Sequence, residues 1–134
     1  MFLQPKKTKF KKNRKGTLPK LNYRSTKLKF GTFGLKSIES GTISSKQLES
    51  ARQSIMRKIN RKGKLWVRVF PSLPVTKKAT ESRMGKGKGS VNVWSTKVSG
   101  GSMLFELCGV NVNTAISAFK SGGSKLPVKT LVFV

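Results

Sequence analysis

Seven consecutive residues, Arg83-Met84-Gly85-Lys86-Gly87-Lys88-Gly89, have the types and spacing suited to holding a polyanion. Alternating glycines remove side-chain bulk and permit φ > 0. Such a backbone can approach phosphates closely, with N–H groups exposed and cations between them. Lys86 and Lys88 supply compact charges; Arg83 can fork onto a phosphate or stack on a base. Taken alone, Gly/Lys stretches are as often flexible solvated loops, so the surrounding composition has to decide.

Catalytic chemistry has few residues to work with. The chain has no His and no Asp, and its four Glu (Glu39, Glu49, Glu81 and Glu106) are scattered singly. Paired carboxylates, a Ser/His/Asp arrangement and a metal cluster are therefore unavailable, and no enzyme, cofactor or metal is expected. The glycine segment lacks the G-x-x-x-x-G-K-[ST] spacing of a nucleotide cradle and leads into a strand, not a helix. Cys108 is single, so it forms no internal disulfide; in its apolar stretch it reads as a small buried residue.

Charge points to the partner. Lys and Arg total 29 against 4 acids, a net charge of +25 over 134 residues. No internal pairing neutralises that excess, so a polyanion or counterions must. No apolar run approaches the roughly 20 residues that span a bilayer, so RNA or DNA is preferred to a membrane. Residues 1–30 hold 11 Lys/Arg and no acid. Within residues 1–26, Lys6, Lys7, Lys9, Lys11, Lys12, Arg14 and Lys15 are candidate phosphate contacts on an arm that orders on nucleic acid. Phe10 and Tyr23 interleave with the charges and could stack on bases. There is no apolar h-region for a secretory signal.

The rest, residues 27–134, reads as one α+β domain carrying the 83–89 loop as an insertion. One or two strands are expected between Lys27 and Ile43, with a turn at Ser40-Gly41. Ser44 and Gln47 have capping-box spacing, and Leu48, Ala51, Ile55 and Ile59 follow on one helical face. Gly63 should stop that helix. Arg52, Arg57, Lys58 and Arg61 occupy the other side and join the candidate contacts. Lys64–Phe70 reads as a strand, with Leu65, Val67 and Val69 on one face and Trp66, Arg68 and Phe70 on the other. Lys64 and Arg68 complete the candidate set, and Trp66 is read as packing rather than as a base platform. Residues 71–82 are expected as a linker. Ser90–Ser99 and Ser102–Cys108 read as a hairpin about Gly100-Gly101. A short helix follows, truncated by Gly122-Gly123, then a last strand over Val128–Val134. One mixed or antiparallel sheet with two helices packed on it is the expected body.

These stretches, in this order, resemble the universal large-subunit ribosomal protein L-sixteen family. The resemblance runs through Leu3-Gln4-Pro5-Lys6-Lys7-Thr8-Lys9-Phe10 and Phe30-Gly31-Thr32-Phe33-Gly34-Leu35-Lys36. Its most specific parts are Gly63-Lys64-Leu65-Trp66-Val67-Arg68-Val69-Phe70-Pro71 and the Arg83–Gly89 segment followed by Trp94. Gly109-Val110, Ala118-Phe119-Lys120 and Lys125-Leu126-Pro127-Val128-Lys129-Thr130 carry it to the C-terminus. Asn60 stands where bacterial members usually have a basic residue.

The resemblance implies a structural, non-enzymatic protein of the large ribosomal subunit. It implies binding to large-subunit rRNA and neighbouring ribosomal proteins, not a free homo-oligomer. The Arg83–Gly89 loop would reach toward the A-site tRNA and peptidyl-transferase region, and the protein would support late subunit assembly. A free RNA chaperone or DNA-compacting protein matches the composition but not the full-length resemblance. The family's opening begins at residue 3, leaving no room for a cleavable targeting peptide. That suits a bacterial protein or one made inside an organelle. Lys outnumbering Arg 22 to 7, with high Ser and Phe and sparse Ala, suggests an AT-rich coding source. This favours an organelle-encoded mitochondrial ribosomal protein, with an AT-rich bacterium or plastid as the alternative.

Overall fold

The computed structural model describes residues 3–18, 20–23 and 25–134. Met1, Phe2, Pro19 and Arg24 of the expected arm lie outside the described residues. In chain order come β1 (Phe33–Ser37), β2 (Gly41–Ser44), α1 (Ser45–Lys58), β3 (Lys64–Val67) and β4 (Leu73–Lys77). Then follow β5 (Ser90–Val98), β6 (Met103–Cys108), α2 (Val112–Gly123) and β7 (Thr130–Phe133). The fold is α+β, as expected, but the strands divide into two antiparallel sheets instead of one. Their orders are β3-β6-β1-β7 and β2-β5-β4.

The expected hairpin at Gly100-Gly101 is instead a passage between sheets, because β5 and β6 do not pair with each other. Gly101 takes φ +85° and donates its N–H to the Ser37 carbonyl at 2.7 Å. A Cβ on Gly100 would lie 2.7 Å from the Ile38 carbonyl oxygen. The glycines are there because the chain crosses over the β1–β2 turn with no room between backbones. Gly-Gly in a sequence looks the same whether the strands fold back or diverge.

Residues 71–82 are not a plain linker, since they contain β4. Pro74 sits opposite Trp94 on this edge strand of the smaller sheet. A proline cannot donate to a ladder, which confines it to an edge and hides such a strand from pattern reading. β4 and β5 thereby form a hairpin whose tip is residues 78–89.

The capping box at α1 forms as expected: Ser44 accepts from the Gln47 N–H, and the Gln47 side chain accepts from the Ser44 N–H at 2.9 Å. Leu48, Ala51 and Ile55 are buried along its inner face. The helix ends at Lys58, before Gly63. The reversal uses Asn60 (φ 52°) and Arg61 (φ 59°), with Gly63 (φ 78°) just beyond. Asn is among the residues that enter the left-handed region most readily, which gives Asn60 a backbone role.

α2 runs through both of its glycines, so they do not truncate it. Gly122 faces α1, and a Cβ there would stand 2.5 Å from Ile55 Cγ1. Close helix packing offsets the roughly 1 kcal/mol of helix propensity that glycine forfeits relative to Ala.

In the larger sheet Leu65, Leu107 and Phe33 lie abreast, then Val67, Phe105 and Leu35. Phe33, Leu35, Phe105 and Leu107 belong to the core, together with Ala115, Ala118 and Phe119 of α2, and the half-buried Leu65 and Val67 pack against it. Regular strand pairing of β3 ends at Val67, short of the expected Phe70, although Arg68 still donates its N–H to Leu104. The opposite sheet face carries Trp66, Glu106 and Gly34 abreast. Glu106 is 0% exposed. Its carboxylate accepts the N–H groups of Lys29, Phe30 and Gly31, at 2.6–3.3 Å, and bonds Arg68. That buried anion fastens the segment just before β1 across the sheet.

Candidate nucleic-acid interface

Antiparallel pairing from Leu73–Ser95 to Lys77–Ser90 builds a stalk that carries the Arg83–Gly89 segment away from the core. All its side chains from Arg83 to Lys88 are exposed, Met84 at 92%. Gly85 and Gly87 have φ of +85° and +79°. A Cβ at either would meet nothing within 4 Å. Their requirement within this chain is therefore backbone conformation, not space. Gly89 differs: a Cβ there would strike the Lys77 carbonyl across the stem.

The N-terminal arm lies against this hairpin, a juxtaposition that sequence reasoning missed. Lys12 donates to the Lys88 carbonyl at 2.8 Å, and Lys88 donates to the Asn13 carbonyl at 2.6 Å. Lys97 on β5 donates to Thr17 at 3.1 Å. Nearer the N-terminus, Pro5, Lys7, Thr8, Lys9, Phe10 and Asn13 share a cleft with Ser72, Pro74 and Trp94. Further on, Leu21 bridges Gly100, and the Lys20 carbonyl accepts from Ser40 Oγ at 2.6 Å. The bonds of Lys12, Lys88 and Lys97 and the Leu21–Gly100 bridge join residues 75 or more positions apart, which no local pattern reports. Lys6, Lys7, Lys9, Lys11, Lys12, Arg14 and Lys15 are all exposed.

A second basic surface lies on α1. Arg52, Arg57 and Arg61 border one groove with Gln53 and Met56. Arg57 and Lys58 border another with Ser54, Ser121 and Lys125, and Ser54 and Ser121 share a 2.7 Å hydroxyl bond between α1 and α2. Lys125 was not among the expected contacts. Arg52 differs from its neighbours because Glu49 accepts from its Nε at 2.9 Å and from Nη2 at 2.6 Å. That bond holds the Glu49 carboxyl below its ordinary value and raises Arg52. Its charge is already committed, while Arg57, Lys58 and Arg61 are exposed.

Arg68 is also committed, more deeply, to Glu106, and its side chain is 16% exposed. Burial alone would push the Glu106 carboxyl up; the Gly31, Phe30 and Lys29 N–H groups and Arg68 hold it below the ordinary value. The guanidinium also sits 5.2 Å from the centre of the Phe30 ring. Phe30 stacks on Trp66 with centroids 6.1 Å apart and planes 20° from parallel. Lys29 lies 5.7 Å from the Phe30 ring and Lys64 5.1 Å from that of Trp66. The Lys64–Arg68 stretch thus presents aromatic faces among cations.

Chemically, the arm, the hairpin tip and the α1 surface offer many exposed ammonium and guanidinium groups. Glu39, which pairs with Lys129 at 2.9 Å, and Glu81 are the exposed acids among the described residues. Such surfaces bind phosphate backbones.

The chain matches the family model for ribosomal protein L16p/L10e over residues 5–133. It is 50% identical over 129 residues to the large ribosomal subunit protein uL16 of Bartonella bacilliformis, covering 96% of this chain and 94% of that one. To the protein of the same name from Bartonella henselae it is 48% identical, with the same coverage. Both relatives are bacterial, in keeping with the bacterial alternative and not with the favoured mitochondrial placement.

Proposed function

The chain belongs to the ribosomal protein L16p/L10e family, and on that premise we propose that it binds large-subunit rRNA as a structural constituent of the large subunit, beside the A-site tRNA. One observation carries the reading beyond the family: the acid-free arm and the Arg83–Gly89 tip are hydrogen-bonded to one another on one hairpin. Two segments far apart in sequence converge into one cationic surface. The body holds that surface, and RNA neutralises it. The tip is the part suited to reach the tRNA and peptidyl-transferase region, because it stands on a stalk with little side-chain bulk. Neighbouring ribosomal proteins would share the assembled site.

The test is a salt titration with a large-subunit rRNA fragment. Counterion release makes log affinity fall with log salt by about 0.9 per neutralised phosphate on duplex DNA and about 0.7 on single strands. With six or more Lys/Arg on phosphate, going from about 50 to 200 mM salt should weaken binding on the order of a thousandfold. A flat curve would reject the reading. The tRNA-facing role needs ribosomes carrying Arg83→Lys at full occupancy. Loss of the planar fork with the charge kept should slow A-site accommodation; unchanged accommodation would reduce the tip to a solvated connection. An organelle-encoded origin rests on composition alone, and the genomic location of the coding sequence decides it.

A further inference from the structure

The face of the larger sheet that carries Glu106 is layered by exposure. Glu106 is fully buried, Arg68 above it is 16% exposed, and Phe30 over Arg68 is 52% exposed. The carboxylate holds both layers, accepting the Phe30 N–H at 2.6 Å and pairing with the guanidinium. Phe30 is thus fixed from beneath at its backbone and, at its ring, by Trp66 and Arg68. A half-exposed aromatic ring held this firmly is pre-organised, and binding it loses little conformational entropy.

The rim identifies the occupant. Lys29 and Lys64, both exposed, lie over the Phe30 and Trp66 rings. Among the described residues, the acid bonded to this cluster is Glu106, which Arg68 neutralises and burial hides. An aromatic face bordered by exposed cations matches an unpaired nucleotide, which has a π-face and a phosphate within a few ångströms of each other. Base stacking on aromatic side chains and phosphate capture by neighbouring lysines are the usual pairing in single-strand recognition.

We propose that Phe30, stacked on Trp66 and flanked by Lys29 and Lys64, is a stacking site for an unpaired RNA base. This rests on the rRNA-binding reading above and adds to it a site that reads a base rather than the backbone. The lysines swing off the rings when the base arrives and move onto its flanking phosphates. Arg68 stays with Glu106 and acts as a positioning residue.

The experiment uses the full-length chain in a Trp94→Phe background, leaving Trp66 as the single tryptophan. The probes are single-stranded oligoadenylate and inorganic polyphosphate of matched charge. Oligoadenylate should quench Trp66 fluorescence and polyphosphate should not. Phe30→Leu should weaken oligoadenylate binding at least about fivefold, the low end of stacking effects, and leave polyphosphate binding and the salt slope unchanged. Phe30→Tyr, which keeps the ring, should bind as the parent does, and thermal unfolding should verify that both variants are folded. Unquenched Trp66, or a Phe30→Leu chain that binds both probes like the parent, overturns the proposal and points to a protein neighbour over this patch. Equal weakening toward both probes overturns it too, since the ring would then only support the fold. If the parent chain fails to bind the rRNA fragment at all, the rRNA reading falls and takes this site with it. Steep salt-dependent rRNA binding with an inert Phe30 sinks the base site alone.

Discussion

Gly31 lies just before β1, against the β6 backbone at Glu106 and Leu107, and Gly85 and Gly87 lie at the tip of the β4–β5 hairpin. A Cβ on Gly31 would stand 2.8 Å from both the backbone N and the carbonyl O of Leu107. One on Gly85 or Gly87 would meet nothing within 4 Å. The charges beside them divide the same way. Arg68 is locked to a buried carboxylate, whereas Arg83 and Lys86 stand exposed. The same residue types thus mean packing in one region and readiness for a ligand in the other. A glycine excluded from bearing a side chain by its own chain is structural. One that has open space and a positive φ is kept for its backbone shape or for something outside the chain.

The contrast breaks most visibly at Glu106. Glu106→Leu leaves the Arg68 guanidinium and three N–H groups without their acceptor. Removing one partner of a buried pair destabilises by about 3–5 kcal/mol, which a urea unfolding midpoint will register. Glu106→Gln keeps an acceptor and should lose less. Acid should act in the same sense. Folded Glu106 and Glu49 titrate below the ordinary 4.5, while in the unfolded chain they return toward it. Their stabilisation is therefore complete above that value and fades as pH falls through the depressed folded values. Unfolding midpoints measured from about pH 6 to about pH 3 should drop less steeply in Glu106→Gln than in the parent.

Gly31→Ala is next in size. The obstructing atoms are backbone, so the strand itself must shift, and overpacking of this kind destabilises by about 1–3 kcal/mol. Gly122→Ala should be milder, because Ala regains about 1 kcal/mol of helix propensity against the crowding at Ile55. Thermal unfolding of the two variants ranks them. An order reversed would mean that the segment before β1 is looser than its bonds to Glu106 imply.

How much of this was legible beforehand follows from the range of each interaction. The α1 cap and the alternation of Leu65, Val67 and Val69 are local, and they were read correctly. What failed was non-local. Gly100-Gly101 has the composition of a hairpin turn, and only its crossing over Ser37 and Ile38 shows that it joins two sheets. β4 hid behind Pro74, which an edge position tolerates. Gly122 looked like a helix breaker until Ile55 stood opposite it. The seven candidate residues of the tip were visible as a motif, but their contact with Lys12 and Asn13 spans 75 residues or more. Arg68 looked like its exposed neighbours because nothing in the spacing reveals that Glu106, 38 residues on, occupies it. The i,i+3 spacing of Glu49 and Arg52 on α1, by contrast, is a local sign of their pairing.

The smallest effect on stability, and the most informative for function, is expected at the tip. Gly85→Ala and Gly87→Ala place a Cβ in open space but at φ values an L-residue disfavours by about 1–2 kcal/mol. Nothing packs against these positions, so the loop can relax, and the thermal midpoint should hardly move. RNA-dependent functions should respond instead, and Asn separates the two reasons for having glycine there. Asn enters the left-handed region readily yet carries a side chain larger than Ala. If backbone shape is what matters, Gly85→Asn should keep A-site tRNA accommodation while Gly85→Ala slows it. If RNA passes too close for any Cβ, both variants should be slow, with Asn the slower. Equal, parent-like rates for both, in ribosomes at full occupancy, would make the open tip a connector whose glycines serve neither purpose. The contrast with Gly31 would then rest on packing alone.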